Sequence, residues 1–183
     1  GLLSDSKRIG TSIEMLLRKI GERFNLKSLR VFEWIPEASG YQVHFGWSKV
    51  QRKNFYTSAE LMRDKWITKM NSEQAVLTVN DYSKIRKNTQ EQLFQVVDNA
   101  FVVTNLMHNV EIHGFICFES HEQKKDWTSF EIATFEALTK AIATFIFLDK
   151  EKQKDRKMIE QISMTDEVTG LLKKNVFENT VSE

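Results

Sequence analysis

One cysteine, Cys117, among 183 residues leaves no partner for an intramolecular disulfide and argues for a reducing compartment. No apolar run approaches the roughly 20 residues that cross a bilayer, and no signal-peptide pattern opens the chain, so the expected location is cytoplasmic. Neither sign of charge dominates. Lys and Arg number 26 against 25 Asp and Glu, a net charge of +1 that gives no general attraction to nucleic acid or an acidic membrane. Internal repeats and low-complexity tracts are absent, and the single proline, Pro36, falls in a turn. The remainder is 41% hydrophobic and 28% charged, the balance of a soluble globular domain long enough to bury a core. Gly1 in place of an initiating methionine, and the lack of a natural stop at Glu183, read as an excerpt from a longer chain.

Periodicity orders the chain. Ile9, Ile13, Leu16, Ile20 and Phe24 recur every three or four residues, predicting an amphipathic helix from about Ser6 to Phe24. Leu29–Ile35 and Tyr41–Trp47 flank the turn Pro36–Gly40 as an antiparallel hairpin, with Tyr41, Val43, Phe45 and Trp47 alternating against Gln42, His44 and Gly46. Thr57 with Glu60 has capping-box spacing and predicts a helix from Ser58 to about Met70. A short strand Ala75–Val79, a polar stretch Asn80–Asn88 and a helix-like piece carrying Leu93, Phe94, Val96 and Val97 follow. Ala100–Met107 and Ile112–Glu119 form strands around the turn His108–Glu111. Thr128 and Glu131 then start a long helix expected to reach about Ser163. The predicted class is α+β, an antiparallel sheet of about five or six strands with helices on both faces and long terminal helices.

Two resemblances follow from these segments. Ile112-His-Gly-Phe-Ile-Cys-Phe118, the loop Ser120–Asp126, Trp127-Thr-Ser-Phe-Glu131, then Ala133, Leu138, Ala141, Ile142 and Phe145, resemble the second half of a GAF domain. The resemblance covers roughly residues 10–148, and Gly114 fits it by allowing a neighbouring element to approach closely. Further on, Met164-Thr-Asp-Glu-Val-Thr-Gly-Leu-Leu-Lys-Lys-Asn-Val-Phe177 is similar to the opening of a GGDEF domain. Asp166, Thr169, Gly170, Leu171 and Phe177 match that pattern, Val168 stands where leucine is usual, and Lys173-Lys174-Asn175 replaces Asn-Arg-Arg. Asp166 and Thr169 suit a turn there, with Gly170 supplying backbone freedom. The expected organisation is an N-terminal helix over 1–24, a GAF domain over 25–148, a helical linker over 149–163 and the start of a GGDEF domain over 164–183.

The resemblance implies a regulatory part of a bacterial diguanylate cyclase, which makes cyclic di-GMP from GTP. The carboxylates of the GGDEF signature would lie beyond Glu183, so this chain is expected to have no catalysis of its own. GAF relatives enclose a ligand, and the residues expected to line such a pocket are His44, Trp47, Trp66, Phe94, Phe101 and Phe115, with Arg86 and Asn105 as further polar contributors. A small planar or apolar molecule would suit them, and no cofactor is evident. His113 and Cys117 are placed on one strand face with Phe115, and are read as a core histidine beside a buried thiol. On a strand they lie about 13 Å apart, too far to share a metal unaided. Cys117 does not occupy the loop or helix position beside a histidine that bilin-binding relatives use. One cysteine cannot cycle a disulfide, and Lys53-Asn54-Phe55 and Asp81-Tyr82 do not complete the cyclic-nucleotide pattern. Lys49–Lys53 and Lys84–Lys87 read as solvated surface.

The long helix holds a second signal. Leu138, Phe145 and Ile159 keep a seven-residue phase, interrupted by the charged run Asp149–Lys157 with Lys152 in the seam. That phase predicts a parallel two-stranded coil and a homodimer, with Ile13, Leu16, Ile20, Leu138, Ile142, Phe145 and Ile159 at the interface.

Overall fold

The sheet is built first from two hairpins. Strand β1 (Ser28–Ile35) pairs antiparallel with β2 (Gly40–Ser48) across a 3-10 turn at Pro36–Ala38. Strands β4 (Phe101–His108) and β5 (Glu111–Glu119) pair around Asn109 and Val110, both of positive φ. Strand β3 (Val76–Val79) adds to β4, and β5 pairs with β1. The result is one antiparallel sheet in the order β2-β1-β5-β4-β3. This is a computed structural model that describes residues 2–38, 40–50, 76–85, 87 and 97–182, with side chains described except at 2–4, 168 and 171–182.

Helices α1 (Leu2–Arg23) and α2 (Ser129–Ser182) lie on one face of this sheet, antiparallel to each other. Their apolar sides and the facing strand residues form a core of Ile13, Leu17, Leu29, Val31, Val102, Leu106, Ile116, Phe118, Phe135 and Ile142, all buried. Phe118 stacks on Phe135 at 4.2 Å, and Phe24 and Trp127 meet the same ring edge-on. Each such aromatic pair adds roughly 0.5–1.5 kcal/mol beyond its burial. The opposite face carries Phe32, Tyr41, Val43, Phe101, Val103, Phe115 and Cys117, with Tyr82 from a 3-10 turn and Val97 packed on it. The helices expected at Ser58–Met70 and around Leu93–Val97 fall outside the described residues, apart from Val97 itself.

Helix ends follow local chemistry. Asn25, at φ 50°, takes the left-handed position after α1, and the Leu26 amide donates back to the Gly21 carbonyl at 2.8 Å. At the start of α2, the Glu131 amide donates to Thr128 Oγ1 and the Thr128 amide to Glu131 Oε1, the capping box anticipated from the sequence.

Two expectations are corrected here. Helix α2 does not end near Ser163: one backbone helix runs on through Asp166, Thr169 and Gly170 to Ser182, with no turn. Residues 158–174 contain no proline, and Gly170 is the only strong breaker among mostly good helix formers. Among the described residues, a Cβ placed on Gly170 would meet nothing within 4 Å, so no packing there demands a bend. The second correction concerns strand phase. The pairing jumps from Val31↔Phe45 to Phe32↔Val43, leaving His44 as an extra residue, and from Leu106↔Gly114 to Met107↔Ile112, leaving His113 extra. Each bulge moves the side chains beyond it to the other face. Tyr41 and Val43 therefore lie opposite the helices, while Phe45 and Trp47 lie beneath them.

Candidate functional site

The face away from the helices carries a buried polar cluster within an aromatic setting. Phe115 stacks on Phe32 at 4.7 Å and touches Tyr41 at 5.0 Å. Beside them in the ladder, Arg30 stands opposite Cys117. Arg30 is 1% exposed; its Nη1 donates to Ser28 Oγ at 2.8 Å and lies 3.8 Å from Glu119 Oε1. Glu119 accepts from Ser28 Oγ at 2.8 Å and from the Asp98 amide at 2.9 Å, with Lys27 Nζ at 4.0 Å. Burial pushes the Glu119 carboxyl up, against the Ser28 bond and Lys27, which favour its ionised form. Burial likewise raises Tyr82, helped by the charges of Asp98 and Glu119, and raises the Cys117 thiol, which is fully buried. A thiol so placed is a packing element and a poor nucleophile.

Of the six residues expected to line a ligand pocket, the structure brings together only Phe101 and Phe115, buried on this face. Trp66 and Phe94, with Arg86, lie outside the described residues. Trp47 is a correction: the His44 bulge turns it under α1, where a Cβ on Gly21 would come within 2.1 Å of its ring. His44 is a correction too, exposed at the bulge with Nδ1 3.8 Å from Glu33 Oε2. His113 does not share a face with Phe115 and Cys117. Its bulge sets it against Phe147 of α2 at 5.0 Å, and it is partly exposed. Asn105 stands opposite Phe115 in the ladder, on the face away from the helices. On the helix side, a groove of about 270 Å³ between β4 and α2 is bordered by Thr104, His108, Glu136, Lys140 and Phe147. Among the described residues no three His, Cys, Asp or Glu side chains are arranged to hold a metal. No helix there is long and apolar enough to cross a membrane.

The expected interface residues also separate. Ile13, Leu138 and Ile142 are buried in the domain's own core and cannot form an intermolecular seam. Leu16 and Ile20 are half-buried against that core. Phe145 and Ile159 are 42% and 65% exposed, and Leu148 and Ile162 join them on α2. Ile159 and Ile162 follow Phe145 and Leu148 by two heptads, so the four share one stripe over about 25 Å of helix. The upper half of the heptad phase on α2, Leu138 and Ile142, is spent on the sheet.

Sequence reasoning passed over Arg30, Glu119 and Glu33. Arg30 did leave a signal, a lone charge inside the apolar run Leu29–Phe32. Glu33 left less, since its partner Lys150 lies 117 residues away.

No family model matches the sequence, and no curated protein matches it. Solved structures do. The blue-light absorbing form of the Thermosynechococcus elongatus PixJ GAF domain is 15% identical, with a TM-score of 0.66 over 86% of this chain and 95% of that one. The photoproduct state of GAF3 from Slr1393 of Synechocystis sp. PCC6803 is 10% identical, with a TM-score of 0.65 over 80% and 98%. The GAF domain of an Acinetobacter phosphoenolpyruvate-protein phosphotransferase is 10% identical, with a TM-score of 0.62 over 78% and 84%. With its five-stranded antiparallel sheet and terminal helices packed on one face, this chain has the GAF fold.

Proposed function

We propose that this chain is the regulatory sensor and dimerisation unit of a bacterial diguanylate cyclase. It would control cyclic di-GMP synthesis by a GGDEF domain that follows it. The observation that carries the reading is the exposed apolar stripe Phe145, Leu148, Ile159 and Ile162 on α2. That helix runs without a break from the sheet into the residues that resemble a GGDEF opening, Asp166, Thr169 and Gly170. Leu171 and Phe177 complete the resemblance in sequence. Two copies paired along the stripe would hold two cyclase domains at a set separation. A shift of one packed helix against another would then change whether two GTP-loaded sites face each other. The fragment itself would perform no catalysis, and its setting would be the cytoplasm.

A second reading has its own support. Phe115 is buried against Phe32 and Tyr41, and Phe101 is buried in the same cluster, which favours a ligand-free module relaying movement of α1. Native mass spectrometry of the purified chain separates the two. The expected result is a dimer, and an added mass per subunit would assign a small-molecule signal to the face around Phe101 and Phe115. A bare dimer would favour the relay, and a bare monomer would remove the coil on which both readings depend.

A further inference from the structure

The charged run that interrupts the apolar pattern of α2 is where that helix is tied to the rest of the domain. Asp149 Oδ1 accepts from Ser6 Oγ of α1 at 3.3 Å, and Gln153 Nε2 donates to the same Ser6 oxygen at 2.6 Å and to Asp149 at 3.1 Å. Arg156 lies 3.9 Å from Asp5, also on α1. Glu151 lies 3.6 Å from His108 of β4, whose ring stacks on Phe147 at 4.3 Å. Lys150 Nζ reaches Glu33 Oε2 of β1 at 3.3 Å and passes over the Phe147 ring. Three separate elements, α1, β1 and β4, thus grip α2 within eight consecutive residues, 149–156.

These contacts are unequal. The Arg156–Asp5 and His108–Glu151 pairs are largely exposed, and such pairs contribute little. Glu33 differs: its side chain is 7% exposed, and its Oε1 has no hydrogen-bond partner among the described residues. His44 approaches Oε2 only to 3.8 Å. Lys150 is therefore the principal compensation for a buried carboxylate, and losing it strands that charge. The Ser6 contacts add a direct link from α1.

We propose that residues 149–156 form an ionic collar, keyed on the Lys150–Glu33 contact, that fixes where α2 leaves the domain. Opening the collar frees the helix from Leu148 onward, beyond the buried Ile146 and Phe147, while the sheet stays folded. Movement of α1 at Asp5 and Ser6 then acts directly on the departing helix, whether or not α2 pairs with a second copy. Local openings of this kind are governed by few buried apolar contacts, the condition of this segment, where the residues from Leu148 to Glu167 are exposed apart from the half-buried Asp149 and Gln153.

Amide hydrogen exchange on the 183-residue chain tests this. Lys150→Met is expected to speed exchange over residues 148–157 about tenfold, with strands β4 and β5 unchanged. Combining it with Glu33→Gln, which removes the stranded charge, is expected to return exchange to within about threefold of the parent. Unchanged exchange in Lys150→Met, acceleration spread evenly over the strands, or a double variant no better than the single would each overturn the collar. The same series in a Phe145→Asp background, with mass measured by sedimentation, separates this from dimerisation. A monomer from the outset that still responds to Lys150→Met would remove the coil and keep the collar, whereas a stable dimer indifferent to Lys150→Met would do the reverse.

Discussion

Gly114→Ala is expected to cost about 3 kcal/mol or more, lowering the melting temperature by roughly 10 °C. An ideal Cβ at this position would lie 2.0 Å from the Phe32 carbonyl oxygen and 3.1 Å from the Glu33 Cα. Both obstacles are backbone atoms of β1, so no rotamer change relieves the clash. Relief requires separating β1 from β5 at the Glu33↔Gly114 pair, in the middle of the five-stranded sheet. Gly10→Ala is the control, since its Cβ would meet only the Phe45 ring at 3.4 Å, and alanine favours helix by about 1 kcal/mol. Thermal unfolding of both variants checks the pair. A Gly114→Ala protein as stable as the parent would mean that β1 and β5 do not approach as described.

Arg30→Leu is expected to destabilise by about 3–5 kcal/mol at neutral pH, because it leaves Glu119 buried without its nearest guanidinium. Arg30 and Glu119 are 1% and 0% exposed, and Ser28 bridges them. The effect carries a pH signature. Burial already raises the Glu119 carboxyl in the folded state, and losing Arg30 raises it further. The folded protein then binds the Glu119 proton more tightly than the unfolded chain does. Stability therefore improves as pH falls through the folded value towards the unfolded one, and the deficit is full above the folded value. Urea denaturation of parent and variant at neutral and mildly acid pH should show the gap narrowing on the acid side. Adding Glu119→Gln should recover part of the loss at neutral pH. A deficit that is independent of pH would assign the cost to lost packing.

The elements with strong local chemistry were readable before the fold. Thr128 and Glu131 announced α2, and Asn109 marked the β4–β5 turn at a position of positive φ. Gly114 stood out because a strand interior otherwise gains from a side chain. What escaped depended on pairing across the chain. An extra residue at His44 or His113 leaves no mark in composition, yet each reverses the strand phase, so Trp47 and His113 went to the helix side against expectation. The seam was misplaced for a related reason. An apolar heptad phase records that a face is buried but not what buries it, and Leu138 and Ile142 are covered by the sheet. The charged run from Asp149 read only as an interruption of the heptad phase because Ser6, Glu33 and His108, which meet it, are distant in sequence.

The central claim is that α2 meets its counterpart in a second copy, in register, along Phe145, Leu148, Ile159 and Ile162. Cysteine cross-linking tests it directly, since buried Cys117 supplies no competing thiol. Ile159→Cys should form a disulfide-linked dimer rapidly under mild oxidation, while Glu160→Cys, one residue around the helix, should remain monomeric on a denaturing gel. Equal cross-linking of the two variants, or none in either, would contradict pairing along this stripe.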